Sequence, residues 1–330
     1  RNIPARATAF AGFTGLAGLA AVFQRRRPDA VLAMSPPLTL GLAGWVAARL
    51  RRVPFVFNVQ DVFPDVAVEV GAITNPRVIR LLRWLERFTY RRCDAVTVLS
   101  EDLRENVVEK IGPRHGNSVR VIPNFVDTAR IVPSERHNGY RAEFGLGDRT
   151  VVMYAGNLGF SQPLELMVEA ARHHRDRDDL VFVINGGGSG RPALEAAAAD
   201  LPNVVFVDLQ PRERLPEVLA AADIHVIALR RGLARASVPS KLYSILAAER
   251  PVLASIDDGT EVARVLERTG AGVAVAPEDG AAFLSGLDRV LADEGERVKM
   301  GRRGREFVET WVSPEGVAAA YTELFEELIG

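Results

Sequence analysis

Ten short apolar runs, most of them separated by helical patterns, constrain this 330-residue chain more than any other feature. Four lie at residues 30–34, 55–59, 95–99 and 119–122; six more lie at 151–155, 180–184, 204–207, 224–229, 252–255 and 272–276. Runs without an alternating polar position predict strands buried on both faces. Helices between such strands make the sheet parallel and cover it on either side. The spacing predicts helices over 40–50, 79–91, 101–110 and 314–328, the last on Val317, Ala320, Tyr321, Leu324 and Leu328. A polar connector at 127–147, with Pro133, Asn138, Gly139, Gly145 and Gly147, interrupts the alternation. The chain therefore divides into an α/β domain at 1–132, a linker at 133–148, a second α/β domain at 149–310 and a terminal helix at 311–330.

A parallel sheet offers ligands the loops at the carboxyl ends of its strands. Three such loops in the second half carry residues suited to an anion. The first holds Gly156, Asn157, Gly159 and Gln162, the second the run Gly186-Gly187-Gly188, and the third Val238, Pro239, Ser240, Lys241 and Leu242. Glycines let a ligand approach the backbone and free its N–H groups. The triple glycine misses the dinucleotide fingerprint in position and spacing. Ser240 reads as a helix N-cap with Lys241 in the first turn. A cation there opposes the helix dipole by ~0.3–1 kcal/mol. A bound pyrophosphate would explain it; the bland alternative is a solvent-facing lysine on an ordinary helix. In the first half Asp61 stands after the strand at 55–59, either as a site carboxylate or as a turn residue ahead of Pro64.

The net charge of −1 conceals an asymmetry: residues 1–133 carry 19 Lys and Arg against 11 Asp and Glu, and the rest carry 22 against 31. The basic half points to an anionic partner, and phospholipid headgroups fit it. Nucleic acid is not expected, because no helix-turn-helix, zinc or base-stacking motif is present. Residues 7–23 are uncharged, with Gly12, Gly15 and Gly18 three apart. They read as a helix packed closely on a sheet or as a segment lying in a membrane interface, being shorter than the ~20 residues that span a bilayer. The single Cys93 excludes an internal disulfide. No His, Cys or carboxylate cluster has metal-ligand spacing.

Taken in order, these residues resemble a family. Ser35-Pro36-Pro37, Asp61-Val62-Phe63-Pro64, Arg91-Arg92-Cys93-Asp94, Val121-Ile122-Pro123-Asn124, Tyr154-Ala155-Gly156-Asn157 with Gln162, Ala222-Asp223 and Val238 to Tyr243 look like the family 4 retaining glycosyltransferases. The likeness is greatest to the capsule, O-antigen and colanic-acid branch that includes fucosamine transferases. It implies a GT-B fold, two Rossmann-like domains facing across a cleft, with the final helix returning to the first domain. Members normally begin well before this chain does, so the resemblance also implies a missing front segment holding the first strands. It further implies sugar transfer with retention and without an obligatory metal or cofactor. The donor would be a nucleoside-diphosphate-sugar, such as a UDP-sugar, and the acceptor a lipid-linked saccharide at the cytoplasmic face of the plasma membrane.

Carried over by position, Gly156, Asn157, Gly159 and Gln162 would face the diphosphate or sugar. Gly187 and Gly188 would border the base, Gln210 would belong to the donor-binding set, and Val238, Pro239, Ser240, Lys241 and Leu242 would hold the phosphates. Asp61 and Lys241 would be the catalytic pair. Two positions depart from the pattern: Ser244 stands where the family has a Glu that bonds the donor ribose, and Glu249 where it has Gly. The rival readings are a sugar-nucleotide epimerase or phosphorylase on the same architecture, and a degenerate homologue that scaffolds polysaccharide assembly.

Overall fold

The computed structural model describes residues 3–330, which form two compact units. The first takes the chain as far as Pro123 together with Arg235–Val238 and Val317–Gly330; the second takes Asn124–Ala234 and Pro239–Gly316. All ten apolar runs are strands.

In the first unit α1 (Ile3–Phe23) leads into β1 (Val31–Ser35), α2 (Thr39–Arg51), β2 (Phe55–Val59), α3 (Asp65–Glu69), α4 (Pro76–Arg92), β3 (Ala95–Val98), α5 (Glu101–Ile111) and β4 (Val119–Val121). The strands are parallel in the order β1-β2-β3-β4. Each crossover moves to the next neighbour, so right-handed connections stack α2, α4 and α5 on one face. There Phe55, Phe57, Val96 and Val98 pack with Ala48, Tyr90, Leu103 and Val107. Asn75 starts α4 by accepting from the N–H groups of Arg77 and Val78 at 3.0 and 3.4 Å, with Pro76 supplying a preset first turn. Cys93 donates its thiol to the Thr89 carbonyl at 3.0 Å, and burial pushes its pKa up, so it is an inert packing residue.

One expectation needs correcting. The 7–23 segment does not lie on a sheet: α1 packs against α2, where a methyl at Gly18 would stand 3.3 Å from the Ala43 side chain. Gly12 and Gly15 face open space, and Phe13, Leu16 and Leu19 are exposed. Among the described residues no helix is long and apolar enough to cross a membrane.

The second unit runs α6 (Gly139–Glu143), β5 (Thr150–Ala155), α7 (Glu165–His173), β6 (Leu180–Asn185), α8 (Arg191–Ala197), β7 (Val204–Val207), α9 (Leu215–Ala221), β8 (Ile224–Ala228), α10 (Lys241–Ala247), β9 (Val252–Ser255), α11 (Glu261–Thr269), β10 (Gly272–Val275), α12 (Gly280–Leu291) and α13 (Glu294–Trp311). Its sheet is parallel in the order β10-β9-β8-β5-β6-β7, so the direction of winding reverses between β5 and β8. Asp223, just ahead of β8, ties the connector to this sheet. Its carboxylate accepts from Arg136 at 2.5 Å, from Arg141 at 2.6 Å and from the Val151 N–H at 2.8 Å.

The last helix, α14 (Pro314–Ile329), covers the other face of the first sheet with Val317 and Leu324 against Val56, Ala95 and Ile122. The Tyr321 hydroxyl accepts from Asn58 Nδ2 at 2.6 Å and shares a 3.2 Å hydrogen bond with Thr97. That satisfies two polar side chains buried in the strands.

Candidate functional site

Where strand order reverses, the loops after β5 and β8 diverge and leave a crevice outside the strand ends. A cavity of about 460 Å³ occupies that position in the second unit. Gly156 follows β5, Asn185 ends β6, Gln210 follows β7, and Ser240, Lys241 and Ser244 come from the start of α10; all line it. Leu209, Leu215, Val218 and Ile245 form an apolar side, Arg212 and Lys241 supply the charge, and no Asp or Glu is among the lining residues. An apolar wall with a few convergent polar groups is the usual make-up of a small-molecule site.

Lys241 is the unusual member. Its ammonium is buried without a hydrogen-bond partner and sits 3.6 Å from the centroid of the Tyr154 ring. The ring is held in place because its hydroxyl donates to the Asn157 carbonyl at 2.8 Å. A methyl at Gly156 would come within 2.9 Å of Nζ, so glycine is what lets the amine approach the end of β5. Burial lowers the lysine pKa from 10.5 to about 7. The face of a tyrosine ring compensates only in part for lost hydration, and an unpaired buried cation is costly. The bland expectation of a solvent-facing lysine is thereby set aside.

The cavity also contains two residues to which the sequence reading gave no role. Asn185 accepts from the Tyr140 hydroxyl at 2.8 Å. His225, fully buried in β8, lies 2.9 Å from the Leu219 carbonyl through Nε2. A carbonyl can only accept, so the proton sits on Nε2. Burial lowers the pKa to about 4, and the ring is neutral at physiological pH. A lone histidine inside an apolar run was the available signal.

Other expected site residues are placed differently. Ser240 occupies the N-cap position of α10, but its backbone is already helical and its hydroxyl caps nothing. The Leu242 N–H turns back to the Pro239 carbonyl at 3.1 Å and its side chain is wholly buried, so Leu242 serves the core rather than a ligand. Val238 belongs to the first unit and packs with its core. The glycines of the second loop are needed mainly for close backbone contact. Added methyls at Gly186 (φ +149°) and Gly188 (φ +158°) would fall 1.9 Å from the Gly156 carbonyl oxygen and 2.2 Å from that of Leu158. Gly187 alone of the three has open space beside it, and its carbonyl accepts from the Leu158 N–H at 3.0 Å. In the first loop the Gln162 side-chain oxygen accepts from the Gly159 N–H at 3.2 Å, which folds Asn157, Gly159 and Gln162 together. Glu249 has φ +59°, the left-handed conformation glycine adopts without penalty.

Asp61 lies in the first unit, where its backbone bridges to Ser237 and the Val62 N–H donates to the Ala236 carbonyl at 2.7 Å. A larger hollow of about 620 Å³ surrounds Arg136, Asp223, Arg250 and Arg297. Its guanidinium groups are already engaged with Asp223 and with backbone carbonyls, which leaves no free cation for a ligand. Among the described residues no cluster of side chains is arranged to hold a metal.

Comparison with known proteins bears on the family and the fold. Residues 1–124 match the family model for the glycosyl transferase 4-like domain, and residues 149–293 that for glycosyl transferases group 1. WcaI of Escherichia coli K12, a glycosyl transferase assigned to colanic acid biosynthesis, is 30% identical over 89% of this chain and 73% of its own length. WbjE of Pseudomonas aeruginosa, described as a glycosyltransferase, is 28% identical over 83% and 71%. Among solved structures, Anabaena HepE with UDP and glucose superposes with a TM-score of 0.77 at 14% identity, over 97% of this chain and 81% of that one. Sucrose-phosphate synthase of Thermosynechococcus elongatus gives 0.76 at 18%, over 97% and 78%. At such identities the likeness speaks for the fold alone, and that fold is GT-B.

Proposed function

The chain belongs to the family 4 glycosyltransferases, and from that premise we propose that it moves a sugar, with retention at the anomeric carbon, from a UDP-sugar to a lipid-linked saccharide in surface polysaccharide synthesis. The observation that carries this reading is the unpaired ammonium of Lys241 in a cavity lined by no carboxylate. A diphosphate is the ligand that such a site lacks. Its negative charge would restore the lysine proton, while the apolar side formed by Leu209, Leu215 and Val218 takes the base. Support for UDP comes from HepE, whose solved structures hold UDP, UDP with glucose, and UDP-glucose.

In the reaction the bond from the anomeric carbon to the phosphate oxygen breaks, the acceptor hydroxyl oxygen bonds to that carbon on the same face, and the hydroxyl proton passes to the departing phosphate oxygen. Negative charge gathers on the departing diphosphate. A cation already in place beside the diphosphate stabilises that charge without reorganising. Gly156, Asn157, Gly159 and Gln162 are assigned to the diphosphate and sugar, Gly187, Gly188, Gln210 and Ser244 to the nucleoside, and Ser240 to the phosphates beside Lys241. Asp61 is assigned to the acceptor side. The acceptor lipid would bring the basic first unit to an anionic membrane surface.

The test is transfer from a panel of radiolabelled UDP-sugars to extracted lipid-linked saccharides. Lys241→Ala should lower turnover ~100-fold, the usual effect of losing one such electrostatic contact. Undiminished turnover in that variant would overturn the proposal.

A further inference from the structure

Helix α4 has an outward surface that its own packing does not explain. It carries six arginines and one carboxylate, and that carboxylate, Glu86, is wholly buried and paired inward with Lys110 at 2.6 Å. The outward face therefore has no negative charge of its own. Arg77, Arg80, Arg87 and Arg91 are exposed there, and none of their guanidinium groups has a hydrogen-bonding or ion-pair partner among the described residues. Among them stand Leu81 and Trp84, 62% and 55% exposed. At 100° per residue, positions 77, 80, 81, 84, 87 and 91 fall within one third of the helix circumference. An ordinary solvated face mixes charges of both signs and gains from i,i+4 pairs; this one mixes unpaired guanidinium groups with large apolar side chains.

We propose that this face of α4 is the surface by which the protein lies on an anionic phospholipid bilayer. The chemistry fits at each depth. Leu81 and the indole of Trp84 would enter the boundary between headgroups and acyl chains, while the arginines extend their stems outward and place their charge among lipid phosphates. Trp84 stacks on Phe88, with ring centroids 5.5 Å apart, which gives the exposed indole a packing partner on its own helix. Nucleic acid could satisfy the arginines, but an exposed leucine gains nothing from a phosphate backbone. This surface rests on the membrane contact of the proposed function but not on the donor cavity, which lies in the other unit, so a failure of vesicle binding and a failure of sugar transfer can be told apart.

The experiment is cosedimentation with phosphatidylcholine vesicles prepared with and without phosphatidylglycerol, together with quenching of tryptophan emission by brominated acyl chains. Binding is expected only with the anionic lipid. Each arginine should be worth about fivefold, so Arg80→Gln with Arg87→Gln should weaken partitioning ~25-fold. Both positions are exposed, and unchanged affinity for UDP would report an intact second unit while circular dichroism reports the helix. Quenching should occur in the unaltered protein and vanish in Trp84→Phe, which still sediments. Equal binding to neutral vesicles, wild-type partitioning of the double variant, or quenching that survives Trp84→Phe would each overturn the assignment. So would binding of single-stranded RNA by this face with no quenching by brominated vesicles.

Discussion

Filling the cavity with UDP should draw a proton from solution. The empty site holds the Lys241 amine at a pKa of about 7 because it is buried and unpartnered. At about pH 8 roughly nine molecules in ten therefore carry the neutral amine. A phosphate charge ~4 Å away contributes on the order of 4 kcal/mol at the effective dielectric of such sites. That equals ~3 pK units, enough to return the lysine to its ordinary range. Binding should thus take up about 0.9 proton per UDP at pH 8, and affinity should fall about tenfold for each pH unit above 7. Isothermal titration with UDP in Tris and in HEPES measures the uptake directly, since the heats differ by the proton number times the difference in buffer ionisation enthalpy. Above pH 7.5 the terminal phosphate of UDP, with its second pKa near ~6, is already ionised and does not obscure the signal. Lys241→Met should abolish the uptake and lose most of the affinity. Without ligand, the unfolded chain keeps its lysine proton between about pH 7 and 10.5 while the folded chain does not. The stability of the empty protein therefore rises across that window and carries its full penalty below it. The Met variant should lack this slope and melt higher near neutrality. UDP that binds with equal heats in the two buffers would refute the account of the lysine, whatever the affinity.

Two further outcomes follow from the packing. Asp223→Ala strands two arginines, one of them buried, and should cost ~3–5 kcal/mol in denaturant unfolding; a loss below ~1 kcal/mol, the scale of an exposed pair, would mean the connector is held by something else. Gly186→Ala forces a methyl to 1.9 Å from the Gly156 oxygen and should disrupt the loop beside Lys241, lowering both melting temperature and UDP affinity, whereas Gly187→Ala, with open space beside it, should leave melting unchanged. Equal behaviour of the two variants would contradict the loop packing described.

The ten strands were legible because apolar runs of strand length, punctuated by glycine, proline and polar turns, have few alternatives in a chain this size. The crevice was legible in outline, since the loops at 156–162, 185–190 and 238–242 all follow strands. What could not be read was orientation. Whether the Lys241 ammonium points to solvent or to a cavity depends on Tyr154 and Gly156, far away in sequence and adjacent in space. The leucine beside it went the opposite way, into the core, because a seven-residue helix between two buried strands has little choice about its apolar side. The triple glycine pointed to a ligand when the nearer reason was another loop's carbonyls. The residues around 7–23 misled for a related cause: small residues permit close packing without specifying the partner.

The composition of the first unit has a consequence for synthesis on the ribosome. Its four described strands have all emerged once Val121 is made, yet the apolar face bearing Val56, Ala95 and Ile122 waits for Val317 and Leu324, and Asn58 and Thr97 wait for Tyr321. The second unit, ending at Gly316, can close first although it is translated later. For much of translation, then, a half-covered sheet must be shielded by the cell's chaperones. Release of a chain cut short of its last helix should hand quality control a sticky intermediate instead of a folded enzyme.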